Sequence, residues 1–301
     1  QYKKSITINN PGSSALSNYQ VLISLNTTNF DYLKANDDGS DLRFYDSDDT
    51  TQLSYWIENW NPVGESKIWV KVPIVPVGSK NIYMYYGNAE ANPVSNGDTT
   101  FDFFDDFLET SINTSKWTIT NATGWVVSNG ELKGTNTTGR LTSVQKFSSG
   151  NILEIKSRYV SLPTNGYQIG GFFLSTSNGF GFLNAPTNDS YRKDSSWVQL
   201  GATSPSLTNL LTKISVKSSS QVDLLVTNYD TGVTYQNALN VSNTVSSEPI
   251  VLGERYDNSY TGQSYEAYWD WIRVRKYASS EPTISIGNEE LGTYHSYEGY
   301  A

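Results

Sequence analysis

Glu154 is the carboxylate best placed to do chemistry, because it sits inside a clear strand pattern. In Leu153-Glu154-Ile155-Lys156-Ser157-Arg158 the polar residues alternate with the others, so Glu154, Lys156 and Arg158 share one face. Two carboxyls about 5–5.5 Å apart can cleave a glycosidic bond with retention, and acids two residues apart on a strand supply that spacing. Here Lys156 and Arg158 stand where the second acid would have to be, and no other strand offers the pattern. The single histidine, His295, lies in a Gly- and Tyr-rich tail, which excludes a multi-His metal site and argues against a Ser-His-Asp triad. With no Cys, disulfides and thiolate metal sites are excluded as well. These residues predict a protein that is not an enzyme and has no catalytic residues.

Two further constellations could bind rather than react. In Tyr268-Trp269-Asp270-Trp271-Ile272-Arg273-Val274, Asp270 is in phase with Ile272 and Val274, which read as core residues. A buried carboxylate is costly alone, so Asp270 needs a partner. The opposite face carries Trp269, Trp271, Arg273 and Arg275, a row suited to sugar stacking, to a protein interface, or to packing within the chain. Trp117, Trp125 and Trp197 are open to the same readings. The loop Asn36 to Asp41, NDDGSD, has Lys34 where an EF-hand-like calcium loop needs an acid, so it reads as an Asx turn.

The elements that must position these residues are strands. Aromatics make up 13% of the 301 residues, 21 of them Tyr and 8 Trp, with 23 Gly and many Ser, Thr and Asn for turns. The length suits two domains. The stretch Asn81 to Phe107 marks their boundary: an aromatic strand breaks at Gly87-Asn88, crosses a turn-rich segment and re-enters a strand at Phe101. We therefore expect an N-terminal β-sandwich over 1–88, a linker over 89–100, a second sandwich over 101–288 and a tail over 289–301. Asn129-Gly130 reads as a hairpin turn. A net charge of −9 has the wrong sign for a non-specific nucleic-acid or anionic-membrane binder. No apolar run approaches the roughly 20 residues of a membrane-spanning helix. The chain opens at Gln1, directly into a strand, as a processed secreted protein or an excised fragment would.

The segments YKKSITINN, SNYQVLISLNTTNFD, DGSDLRFYDSD, LSYWIENW, KIWVKVP and NIYMYYGN resemble a family of unknown function found in archaeal and bacterial surface proteins. That resemblance spans residues 1 to about 100 and implies a β-sandwich outside the cell. From Phe101 onward, FDFFDDF, SKWTI, GWVVSNGELKG, LEIKSRYV, YQIGGFFLS and EAYWDWIRVRKY resemble the concanavalin-like, laminin-G-like jelly roll. That fold includes laminarinase-type glycoside hydrolases, whose paired acids Glu154 does not reproduce. It also commonly carries a structural calcium near its first and last strands, which makes Asp106 and Asp270 candidate calcium ligands, with a hydrogen-bonded acid at the sheet rim as the alternative.

Taken together, the expectation is an all-β protein of two tandem sandwiches, the second a concanavalin-like jelly roll, working outside the cell or at its surface. A structural or adhesive role, as a filament or envelope subunit with copies of itself or other surface proteins as partners, stands beside a carbohydrate-binding role. A degenerate hydrolase is a remote third. Neither nucleic acid nor direct membrane insertion is expected. Sequons at Asn26, Asn113, Asn121, Asn136, Asn188 and Asn240 are candidate glycosylation sites, although chance alone accounts for about as many. The first strand is expected at or near a sheet edge, and Tyr294, Tyr297 and Tyr300 of the tail are candidate assembly contacts.

Overall fold

A computed structural model describes residues 1–135, 139–162, 167–172, 179–193, 196–253 and 266–292. The chain divides into two units, one made of 1–102 and 278–301 and the other of 103–277. Each is a sandwich of antiparallel sheets, as expected for an all-β protein.

In the first unit, a five-stranded sheet runs in the order Thr283–Leu291, Tyr2–Asn10, Gly78–Tyr86, Arg43–Tyr45, Gln52–Leu53. A three-stranded sheet, Leu16–Leu25, Ser66–Val75, Tyr55–Asn59, completes it. Every second residue turns inward, so Ile6, Ile8, Val21, Ile23, Phe44, Ile68, Val70, Ile82 and Met84 fill one core. A fully buried side chain of this kind contributes about 1.5–3 kcal/mol.

Three boundary expectations change. The strand Thr283–Leu291 belongs to the first sandwich, where it pairs along Tyr2–Asn10 from Asn9↔Thr283 to Tyr2↔Leu291. Its alternating Ile284 and Ile286 pack against the first core, so the second sandwich ends at Tyr277 and not at 288. The first strand lies next to the edge but is not itself the edge: the last strand covers it on one side and Gly78–Tyr86 on the other. Residues 289–291 are strand as well, and Glu289 accepts from the Tyr86 hydroxyl at 2.7 Å and pairs with Lys34. Tyr294, Tyr297, Tyr300 and His295 lie outside the described residues. The expected linker is pinned to the first unit. Asn96 N–H donates to the Tyr55 carbonyl at 2.8 Å, and the Asn96 side chain caps the short helix Gly97–Thr100 through Thr99 N–H.

In the second unit, an eight-stranded sheet has the order Trp125–Ser128, Glu131–Thr135, Glu266–Lys276, Asn151–Ser161, Leu210–Ser218, Gln221–Asn228, Thr234–Ser242, and Phe103–Asp105 also pairs with Glu266–Lys276. The seven-stranded sheet runs Ser196–Gln199, Ser190–Lys193, Phe180–Asn184, Tyr167–Phe172, Glu248–Gly253, Arg140–Phe147, Trp117–Thr120. Their inner faces share a core that includes Trp117, Trp125, Phe147, Leu153, Ile155, Phe172, Phe180, Trp269 and Ile272. The unit enters on Phe103–Asp105 and leaves on Glu266–Lys276, and these strands pair, Phe103↔Val274 and Asp105↔Ile272. Adjacent ends are what allow a domain to be inserted between two strands of another. Asn129 and Gly130 have φ of 55° and 73°, the left-handed pair of a type I′ hairpin, and join Ser128 to Glu131 as the sequence indicates.

Candidate functional site

The strand Glu266–Lys276 is central to the eight-stranded sheet, and its outer face is decided by one irregularity. Lys156 lies opposite Trp271 and Ser157 opposite Trp269, so Asp270 is an extra residue, a β-bulge. The bulge reverses the alternation. Ala267 and Trp269 face the core before it, and Ile272 and Val274 face the core after it. The expected row of Trp269, Trp271, Arg273 and Arg275 is thus broken. Trp269 packs on Trp125 in the core, with ring centres 5.5 Å apart. Trp271, Arg273 and Arg275 do share the other face, yet all three are buried and none is an exposed platform.

Beyond the bulge, the buried end of this face is built on Glu154. Its two oxygens accept from Arg273 Nε at 2.7 Å, Arg275 Nη2 at 3.1 Å and Arg275 Nε at 3.2 Å. The Arg273 guanidinium also stacks 4.3 Å from the Trp271 ring centre. Burial alone would push the Glu154 carboxyl up, but Arg275, Arg273 and Lys213 outweigh it and hold the group well below the usual carboxylate range. It is an anchor between two arginines, ionised at neutral pH.

Before the bulge, the same face is half-exposed and differently organised. Arg158 Nη2 donates to Glu131 at 2.7 Å, Lys133 pairs with Glu266 at 2.9 Å, and Lys156 pairs with Asp270 at 2.5 Å. The Tyr268 ring lies in the middle, with Arg158 3.9 Å and Lys133 5.2 Å from its centre, and its hydroxyl donates to Glu266 at 2.6 Å. Lys156 also lies 4.3 Å from the Tyr229 ring. Three strands supply this lattice, and each charged group is held by a neighbour of opposite sign. Burial pushes Glu131 up, and the charge of Asp270 adds to that against Arg158 and Lys156; the two acids stand at facing positions of neighbouring strands. The sequence missed them because they come from neighbouring strands: Leu132 pairs with Trp269, so the residues beside them, Glu131 and Asp270, come together. Hydrogen bonds to Tyr268 and Lys133 hold Glu266 down.

The two candidate calcium ligands, Asp106 and Asp270, have different surroundings. Asp270 has Lys156 as its cation, and the buried acid of the opening strand is Asp105, not Asp106. Asp105 accepts from Trp117 Nε1 at 2.6 Å and from Phe107 N–H at 3.0 Å. Among the described residues, no group of three or more acidic, His or Cys side chains could hold a metal ion. The loop at 36–41 closes on itself: Asp38 accepts from Ser40 N–H at 2.9 Å, and Asp41 accepts from Asn36 N–H at 2.9 Å and Gly87 N–H at 2.6 Å. It is the Asx turn that the sequence indicates.

A second buried acid escaped sequence reading. Asp189 accepts from Asn184 Nδ2, Ala185 N–H, Ser204 N–H, Ser204 Oγ and Gln236 Nε2, at 2.6–3.2 Å, and so ties a hairpin, a loop and the opposite sheet together. Burial pushes its carboxyl up, and these neutral donors hold it back only in part. Of the sequons, Asn26, Asn113 and Asn121 each accept from the backbone N–H two residues on, an Asx turn at the surface. Asn240 is occupied by Lys217 at 2.6 Å, Asn188 is half-buried, and Asn136 lies outside the described residues.

Residues 38–120 match a family described as a domain of unknown function, DUF2341. The match begins after the first two strands and runs past residue 102 into the second sandwich. No curated protein sequence matches the chain. Similar solved structures include one described as endo-acting O-glycanases expressed by prominent members of the human gut microbiota, 14% identical with a TM-score of 0.45 over 59% of this chain and 100% of that one. A β-1,3-glucanase from Mycobacterium marinum is 10% identical, with a TM-score of 0.43 over 58% and 98%. A cellulose-induced protein, Cip1, is 14% identical, with a TM-score of 0.44 over 60% and 98%. Likeness at this level concerns the fold. The expectation of a non-enzyme is corrected, since structures similar to this chain are named as O-glycanases and a β-1,3-glucanase.

Proposed function

We propose that the protein works outside the cell as a carbohydrate-engaging protein, and that glycans lie on the half-exposed end of the eight-stranded sheet. The observation that carries this reading is the lattice around Tyr268. Sugar hydroxyls are recognised by a few fixed donors and acceptors beside an aromatic ring, and Arg158, Lys133, Glu131 and Glu266 are held in place around such a ring. Because their partners already restrain these side chains, little rotamer freedom is lost on binding. The test is a glycan array with the whole chain, repeated with Tyr268→Ala and Arg158→Ala. Binding to a defined glycan class that drops at least tenfold in both variants supports the reading. No binding, or equal binding by the variants, ends it. The same samples are assayed for released reducing sugar, since Glu131 and Asp270 occupy facing positions of neighbouring strands.

A second reading, a structural role with copies of the chain as partners, is supported by the strand Thr283–Leu291. Among the described residues it pairs only with Tyr2–Asn10, and an open edge can accept another strand. Light scattering over a concentration series separates the two: growth of the particle with concentration supports assembly, and a constant monomer mass removes it.

A further inference from the structure

The first sandwich has a cleft of about 730 Å³ whose floor holds Lys4 and whose walls come from residues 27–33, Pro62, Val63 and 286–289. Lys4 occupies an inward position in register with Ile6 and Ile8, and it is only 8% exposed. It reaches the cleft because the edge strand bulges beside it. Lys4 is paired with Glu289 and Ile6 with Ile286, which sets two residues, Gly287 and Asn288, opposite Ser5 alone. A Cβ on Gly287 would stand 2.4 Å from Ser5 Oγ, so any larger residue there would have to displace that hydroxyl. The Lys4 ammonium makes one hydrogen bond among the described residues, to the Gly287 carbonyl at 3.3 Å. An ammonium has three protons to donate, so two remain for a guest.

The acids of the cleft are already engaged. Glu289 is bound by Lys34 and by the Tyr86 hydroxyl, with Lys4 contributing at longer range. Asp31 accepts from Leu33 N–H at 3.2 Å and lies 3.7 Å from Lys34. At the mouth, Leu33 and Val63 are 96% and 94% exposed, the two most exposed large apolar side chains among the described residues. A buried cation behind two exposed apolar side chains matches a guest with a negative head and a short hydrocarbon body.

We propose that this cleft is a binding site for an organic carboxylate carrying an apolar chain, with Lys4 taking the carboxylate and Leu33 and Val63 covering the chain. The site is independent of the sheet face on the second sandwich. The test is calorimetric titration of the full chain with hexanoate, acetate and hexan-1-ol, repeated with Lys4→Gln and Leu33→Asp. Expected is hexanoate binding that falls at least tenfold for acetate, for hexan-1-ol and in both variants. Hexan-1-ol binding as well as hexanoate would overturn the role of the ammonium. Absence of hexanoate binding at 20-fold molar excess in the millimolar range, or full affinity in Leu33→Asp, would overturn the site. Leu33 is at the surface, so its variant keeps the test decisive if Lys4→Gln fails to fold.

Discussion

The two ends of the outer face of Glu266–Lys276 use the same ingredients and reach opposite results. On one side of the Asp270 bulge, Arg273 and Arg275 are buried on Glu154, with hardly any contact with water. On the other, Arg158, Lys133 and Lys156 meet Glu131, Glu266 and Asp270 while each side chain keeps between about a fifth and two fifths of its surface in solvent. Solvent access decides what an ion pair can do. Breaking a buried pair leaves a stranded charge, whereas an exposed pair adds little stability and is free to exchange its partner for a ligand. The buried end belongs to the architecture of the sheet, and the half-exposed end is where recognition is proposed.

The largest effect that would break this comparison is at Glu154. Glu154→Gln strands two buried guanidiniums and should cost about 3–5 kcal/mol, read as a lower urea midpoint. The pH dependence has a definite sign. The folded carboxyl lies below its unfolded value, so its contribution is complete above about pH 4.3 and fades as pH falls further. The gap between wild type and Glu154→Gln should therefore narrow on acidification. A gap that is constant with pH would remove the ion-pair account.

Asp189 sharpens the contrast, because it is buried too and, among the described residues, has no cation as a hydrogen-bond partner. Asp189→Asn turns an amide donor toward donors and should cost about 1–3 kcal/mol. Its folded carboxyl lies above its unfolded value, so wild-type stability from this group is greatest at low pH and is lost as pH rises through the folded value. The difference between wild type and Asp189→Asn should shrink toward neutral pH, opposite in slope to Glu154. Denaturant titrations between pH 3 and 7 measure both slopes, and parallel slopes would show that the two carboxyls are not distinguished by their partners.

The smallest expected effect on stability belongs to the half-exposed lattice. Arg158→Ala should change the unfolding free energy by less than about 1 kcal/mol, as exposed pairs do. A loss comparable to that of Glu154→Gln would mean that both ends of the face are structural.

Much of this architecture was legible as alternation. Ile6 and Ile8, Leu153 and Ile155, and Ile284 and Ile286 all announce strands with one buried face. What alternation could not show was partnership. Thr283–Leu291 reads as a strand but does not say which sandwich it joins, because pairing between opposite ends of the chain, from Asn9↔Thr283 to Tyr2↔Leu291, leaves no local trace. The bulge was hidden for a related reason: Asp270 looks like one more alternating residue until its partner strand is known, and a one-residue slip turns Trp269 to the core. For Arg273 and Arg275 the sequence leaves exposure and packing within the chain both open, and the cross-strand position of Glu154 decides for burial. The Asn129-Gly130 turn and the 36–41 loop were read correctly because their chemistry is local.

The central claim is that glycans are engaged at Tyr268, and calorimetry tests it most directly. The glycan giving the strongest array signal is titrated into wild type and into Tyr268→Ala, with near-ultraviolet circular dichroism confirming that both are folded. The account predicts saturable binding by wild type and a dissociation constant at least tenfold larger in the variant. Equal dissociation constants in the two folded proteins would contradict it.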